Sequence, residues 1–345
     1  MLVVFVFLCV CLILNIKISI GIIDKDYLSK DYTQVVKGVF IIIVFLSHIK
    51  GYADFASKGD IFVKNILQYL GQLMVAFFLF VSGYGVFEAI KKKGKEYICF
   101  FPKNRIAKTF FDFSLAILLF LFLDLLLGKA YSGKTVLLAF TGWTSIGNSN
   151  WYMFAIFVMY IITFISFFIF EHSRGMAIIA VSVLSLIYIY IMSTIKETWW
   201  SDTCLCYVAG MWFSYFKEHI DKVMDNFSPW GWRIGIVLLF SCYYIFSGYR
   251  YSRLLAYNVV AICFCLLIVF ILMKVSFDSK CLRWCGENLF WLYILQRIPM
   301  IFWEHYGMNV MNPYFYLLLC AGGTIGLAWI MNKIDIYIIR KTWWR

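Results

Sequence analysis

Lys37 and His48 stand eleven residues apart in a run that is otherwise almost wholly apolar, Val-Val-Lys-Gly-Val-Phe-Ile-Ile-Ile-Val-Phe-Leu-Ser-His-Ile. On an α-helix that spacing is a rise of about 16 Å and nearly three full turns, so both side chains project from almost the same face. An imidazole titrates near neutrality and can take a proton from an attacking hydroxyl, and a cation can hold an anionic substrate. The bland alternative is a helix-end histidine satisfied at the membrane interface or by a backbone carbonyl. An ionisable group inside hydrocarbon costs roughly 2.5–3.5 kcal/mol on insertion scales, so Glu88, Asp112, Asp124, Arg297 and Glu304 join the candidates. Arg297 calls for a counter-ion from among Glu88, Asp112 and Asp124, and a structural ion pair and a substrate-binding role are equally open for it.

The elements that must position these groups follow from composition. The chain has 345 residues, 63% hydrophobic and 14% charged, against about 45–50% and 25% in soluble domains. Its 31 basic and 19 acidic side chains cannot cover that much apolar surface, which excludes a soluble globule. Apolar spans fall at 2–22, 36–50, 66–88, 109–128, 151–170, 176–195, 202–216, 232–248, 254–274, 286–304 and 313–332, so the expected fold is all-α, a polytopic membrane bundle of about eleven helices. The two short spans, 36–50 and 202–216, either sit in a thin, protein-lined region or extend into their flanks. The first span lacks a charged leader and a cleavage site and reads as a retained helix.

Of the 31 Lys and Arg, 22 fall on one side of these spans, 8 on the other, and Arg297 within one. The positive-inside rule then places the N-terminus outside and the C-terminus in the cytoplasm of a multi-pass plasma-membrane protein. The same rule accounts for the net charge of +12 and excludes nucleic acid as a partner. Most of the 11 Cys lie within apolar runs as small hydrophobes, and Cys281 and Cys285 lack His companions, so neither a disulfide framework nor a metal is expected. The longest loops are the outer 51–65 and 129–150 and the basic cytoplasmic 89–108.

Five segments, in order, resemble the acyltransferase 3 family of integral membrane acyltransferases. The run from Lys37 to His48 resembles a first core helix in which an Arg, ten residues and a His recur. Phe-Phe-Leu-Phe-Val-Ser-Gly-Tyr-Gly at 77–85 is similar to a helix ending in Ser-Gly-Phe or Ser-Gly-Tyr. Phe-Pro-Lys-Asn-Arg-Ile at 101–106 is similar to the arginine-bearing entry to the next helix, and Asn-Trp-Tyr-Met-Phe at 150–154, followed by Tyr160, to a Trp-containing helix start. Cys-Gly-Glu-Asn-Leu-Phe-Trp-Leu-Tyr-Ile-Leu-Gln-Arg at 285–297 resembles the penultimate helix with its Gly, Ser, Tyr and His pattern. The resemblance divides the chain into an extra N-terminal helix with a linker (1–30), a ten-helix acyltransferase domain (31–335) and a basic cytoplasmic tail (336–345). Two positions depart from the pattern. Lys37 replaces Arg, keeping charge but losing the planar fork, and Gln296 replaces His, keeping hydrogen bonds but not proton transfer.

The resemblance implies O-acyl transfer, usually of acetyl, from acyl-CoA in the cytoplasm to a hydroxyl of a cell-surface polysaccharide or glycolipid. His48 is the implied catalytic base. Lys37, Lys103 and Arg105 are candidates for the phosphates of acetyl-CoA, with Ser82 and Gly83 at an adjoining helix end. Asn150, Trp151, Tyr293, Gln296 and Arg297 are candidates for the acceptor. Each has a plainer alternative: topological charge for the cytoplasmic cations, helix packing for Ser82 and Gly83, and an aromatic belt for Trp151 and Tyr152. A glycan acceptor and membrane lipids are the expected partners, and a homodimer is compatible with the sequence. A transporter or flippase of a lipid-linked glycan, and a non-catalytic sensor subunit, are the competing classes.

Overall fold

With few prolines and little water at hand, the backbone in apolar spans satisfies its own hydrogen bonds as helix. The computed structural model describes residues 1–19, 24, 26–227 and 230–342; Lys25 and the last three residues of the basic tail lie outside them. In chain order the helices are α1 (Leu2–Leu14), α2 (Lys30–Ile49), α3 (Lys58–Leu70), α4 (Leu73–Phe101), α5 (Lys108–Leu126), α6 (Gly133–Phe140), α7 (Trp151–Ile169) and α8 (Arg174–Ile195). They continue as α9 (Leu205–Phe227), α10 (Trp230–Ser247), α11 (Ala256–Leu272), α12 (Lys280–Glu287), α13 (Leu289–Leu295), α14 (Arg297–His305), α15 (Met308–Met311) and α16 (Pro313–Thr342). A single small antiparallel ribbon, β1 (Ile16–Ile18) with β2 (Val275–Phe277), is the one sheet among the described residues, with Ile16 opposite Phe277.

Six stretches among the described residues are long and apolar enough to cross a bilayer, Leu2–Leu14 and Ala256–Leu272 being shorter apolar helices. One of the six, Leu73–Leu126, is a helical path of 54 residues. It bends at Gly94, whose φ of 57° is open to glycine at little cost. The stretch 89–108 is therefore helix, not the loop its charges suggest. Lys and Glu are good helix formers, so polarity marks this segment as wet without unwinding it. The stretches 51–65 and 129–150, expected as loops, likewise contain the start of α3 and all of α6. The 286–304 span is broken into α13 and α14 around Gln296, because Pro299 has no N–H to offer the Leu295 carbonyl.

Two glycine-mediated crossings set the bundle. A Cβ at Gly38 would collide with the Leu282 carbonyl, and one at Gly286 with that of Gln34, so α2 and α12 lie backbone to backbone. Gly83 meets the Tyr207 carbonyl, and Gly210 that of Phe80, locking α4 to α9 in the same way. Small residues serve membrane helices by permitting such approach.

Helix α1 rises about 20 Å between the two ends of the core. Its start is pinned to α3, where the Leu2 N–H donates to Asp60 Oδ1 at 2.8 Å, and its end leads into β1. Burial alone would raise the Asp60 carboxyl, but hydrogen bonds from Ser57, Leu2, the Met1 amine and Tyr314 outweigh it and hold the group below the usual carboxylate range. A depressed carboxylate contributes stability that is complete above its unfolded value and lost as pH falls towards its folded one. Acidification below about pH 4 is therefore expected to loosen α1 from α3, and Asp60→Asn to do so at neutral pH. Hydrogen exchange at residues 2–14 checks both, and unchanged protection would refute the anchor.

Candidate functional site

Ser29 caps α2, its hydroxyl accepting from the Tyr32 N–H, so the helix starts six residues before the expected span and carries Lys37 in its second turn. The Gly38 and Gly286 crossing leaves α2 no freedom to rotate, and its Lys37 to His48 stripe has one orientation. Lys37 is half-buried and forms no ion pair among the described residues. About 16 Å along the axis, His48 Nδ1 is buried with no hydrogen-bond partner. Buried polar groups in proteins are ordinarily paired, which makes this nitrogen one of the few exceptions among the described residues.

At the His48 end, three elements converge on Tyr293 of α13. Its ring lies 6.5 Å from the imidazole and 5.2 Å from the ring of Tyr152 on α7, and its hydroxyl faces Ser149. Gln296 is fully buried at the α13 to α14 break; its Nε2 donates to the Tyr293 carbonyl at 2.8 Å and its Oε1 has no partner. Arg297 pairs with none of the carboxylates proposed for it. Its Nε donates to the Tyr52 hydroxyl at 3.0 Å, and Asn309 in turn donates to the Tyr52 carbonyl. Asp112 is bound to Lys108, and Glu88 to Ser214 and Lys91. Among the described residues Arg297 forms no ion pair, and Tyr52 takes its Nε–H.

At the other end, Pro102–Ala107 forms a π-helical turn between α4 and α5. Wide turns of this kind re-aim side chains at functional sites. Here the turn carries Arg105, whose Nε donates to the Tyr97 hydroxyl at 2.9 Å. The Ser82 and Tyr160 hydroxyls are 3.1 Å apart, and the Tyr160 ring lies 6.2 Å from that of Tyr207. Arg105 and Ser82 therefore border one patch of tyrosine hydroxyls. Tyr160 and Tyr152 share α7, so this patch and the His48 group are two ends of one seam. Three apolar grooves of about 740, 320 and 270 Å³ open elsewhere, and none is lined by Lys37, His48, Tyr293 or Arg297.

Residues 31–333 match the family model Acyl_transf_3, described as an acyltransferase domain. The chain belongs to the acyltransferase 3 family. No curated protein and no solved structure matches it. α1 and β1 precede the matched residues.

The structure sorts the sequence candidates for an acyltransferase site. His48, Tyr293, Gln296 and Arg297 are gathered, and Arg105 joins Ser82. Gly83 is a packing position whose open side is taken by the α9 backbone, not by a ligand. Asn150 is a loop pin, its Nδ2 donating to the Gly142 carbonyl at 2.9 Å. Trp151 lies half-buried, 6.0 Å ring to ring from Tyr152. Lys103 is exposed. Tyr52, Tyr97, Tyr207, Asn148 and Ser149 were not singled out by sequence reasoning. Nothing distinguishes three tyrosines among 23 before the helices are packed.

Proposed function

We propose that this acyltransferase moves an acyl group, acetyl in the simplest case, from cytoplasmic acyl-CoA to a hydroxyl of a cell-surface polysaccharide or glycolipid, with His48 as general base. The observation that carries the reading is His48 Nδ1, buried with no hydrogen-bond partner among the described residues, at one end of the helix stripe that begins at Lys37, which forms no ion pair among them. The acceptor oxygen attacks the thioester carbonyl as His48 takes its proton. The carbon–sulfur bond then breaks, and the leaving thiolate recovers the proton from the imidazolium. Arg297, steadied by Tyr52, is the donor that offsets charge growing on the carbonyl oxygen. Lys37 and Arg105 hold the phosphates of the donor by charge-assisted hydrogen bonds.

Purified protein in proteoliposomes, given acetyl-labelled acetyl-CoA and candidate glycans, is expected to yield labelled glycan. Transport of unmodified glycan without donor consumption would overturn the reading in favour of a flippase. If Lys37 acts as a charge, Lys37→Arg keeps the donor KM within about twofold, and Lys37→Gln raises it about tenfold, the worth of one charge-assisted contact. An unchanged donor KM in the Gln variant would remove Lys37 from the donor site. Mass spectrometry of surface glycans from cells with and without the protein would name the acceptor by the loss of one acetyl mass.

A further inference from the structure

Between Phe101 and Lys108 the chain passes from α4 to α5 without leaving the helical state, yet its winding changes. Pro102 begins the change: it has no N–H for the Ile98 carbonyl, and its ring would strike that carbonyl in an unbroken α-helix. The turn widens to the π form over Pro102–Ala107. At its far end the Lys108 N–H reaches back five residues to the Lys103 carbonyl and is shared with that of Arg105. Such wide turns are rare inside helices. An α-helix advances about 100° per residue, so tightening the turn by one residue would swing Lys108 round relative to α4, and Arg105 and Lys108 could not both keep their directions.

Both directions are fixed by contacts. Arg105 Nε donates to the Tyr97 hydroxyl near the end of α4 at 2.9 Å. Lys108 Nζ lies 2.7 Å from Asp112 Oδ2, one turn further along α5, and 3.4 Å from Asp335 Oδ2 on α16. The first of these moves with α5, whereas the second ties the end of the turn to a helix 227 residues away in the chain. Asp112 is 6% exposed, and Lys108 is its one ion-pair partner among the described residues. Rotation of Lys108 would therefore strand a buried carboxylate, which is far more costly than losing an exposed ion pair. The π turn is held at both ends, through Arg105 to α4 and through Lys108 to α16.

We infer that Lys108 and Asp335 are positioning residues for donor binding: their bridge keeps the π turn wide and so keeps Arg105 on the patch of tyrosine hydroxyls. The inference rests on the reading that Arg105 holds a phosphate of acyl-CoA. Asp112 fixes the ammonium within α5, and Asp335 fixes α5 to the bundle. The last helix of the chain, which carries no candidate for either substrate, thereby bears on donor affinity.

The test is steady-state acetyl transfer by the full chain in nanodiscs, with donor and acceptor titrated separately. Asp335→Asn removes the charge on α16 and keeps the side chain's size. It is expected to raise the donor KM about fivefold, the upper end for a partly exposed ion pair, and to leave kcat and the acceptor KM within about twofold of wild type. Asp335→Glu, which keeps the charge, should restore the donor KM. In an Arg105→Gln background Asp335→Asn should change the donor KM no further, since nothing remains to be aimed. Hydrogen exchange over residues 103–108, followed in the same variants without substrate, should quicken in Asp335→Asn. An unchanged donor KM, the same rise with and without Arg105, or a fall in kcat with no change in donor KM would overturn the positioning role. Failure of the underlying reading has its own signature, a wild-type protein that consumes no donor or an Arg105→Gln variant with the wild-type donor KM. Unchanged exchange in Asp335→Asn would then still refute the bridge as the hold on the turn.

Discussion

His48→Ala is expected to lower acyl transfer by about 10²–10⁴-fold, the usual contribution of a positioned acid–base group, with the melting temperature little changed. The stability half of this expectation follows from the geometry. His48 makes no hydrogen bond through Nδ1 and contacts Tyr293 only ring to ring at 6.5 Å, so its removal breaks no network. The activity half follows from the neighbours. Gln296 cannot carry a proton at neutral pH, and the other three histidines, His172, His219 and His305, belong to segments other than α2. No other side chain in the group can then substitute as base. Steady-state transfer of labelled acetyl by variant protein of verified fold measures this. A rate within threefold of wild type would remove His48 from the mechanism.

The second large effect is structural. Gly38→Val and Gly83→Val are each expected to cost about 3 kcal/mol or more, at or beyond the upper end of overpacking in a core. The reason is that the added atoms meet backbone, the Leu282 carbonyl at Gly38 and the Tyr207 carbonyl at Gly83, and backbone cannot change rotamer to make room. The helices must part, and each separation carries site groups with it. Widening α2 from α12 moves Lys37 and His48; widening α4 from α9 moves Ser82 from the tyrosine patch. Gly85→Val and Gly322→Val are matched controls, because a Cβ at either position meets nothing within 4 Å. Thermal melts in detergent should show the first pair strongly destabilised and the controls near wild type. Equal melts across all four would show that the close crossings do not hold the bundle.

Much of this was legible in one dimension because it rests on local rules. Hydropathy marked the chain as an all-α membrane bundle, though six stretches among the described residues, not eleven, are long and apolar enough to cross a bilayer, and the eleven-residue interval put Lys37 and His48 on one stripe whatever the stripe faces. The family could be read from the motifs as well, and the match over residues 31–333 bears it out. Charge was a poorer guide to backbone. Residues 91–96, Lys-Lys-Lys-Gly-Lys-Glu, read as a loop but form helix up to and beyond the Gly94 bend, since helix propensity does not depend on being apolar.

The contacts between distant segments were decided by packing alone. Arg297 has three carboxylates within plausible reach in the sequence and binds none of them; it lies 245 residues from Tyr52, which takes its Nε–H. Asn148 and Ser149 sit in an ordinary polar stretch until the loop folds inwards, and Gly83 looks like a ligand-binding glycine until α9 fills the space above it. Residue type and helical period determine which face a side chain leaves from and what it is able to do. Which partner it meets depends on interhelical distances that two glycines at a crossing set to within the width of a methyl group. For this acyltransferase the chemistry of the site was therefore carried by the linear order of residues, and its membership by the crossings.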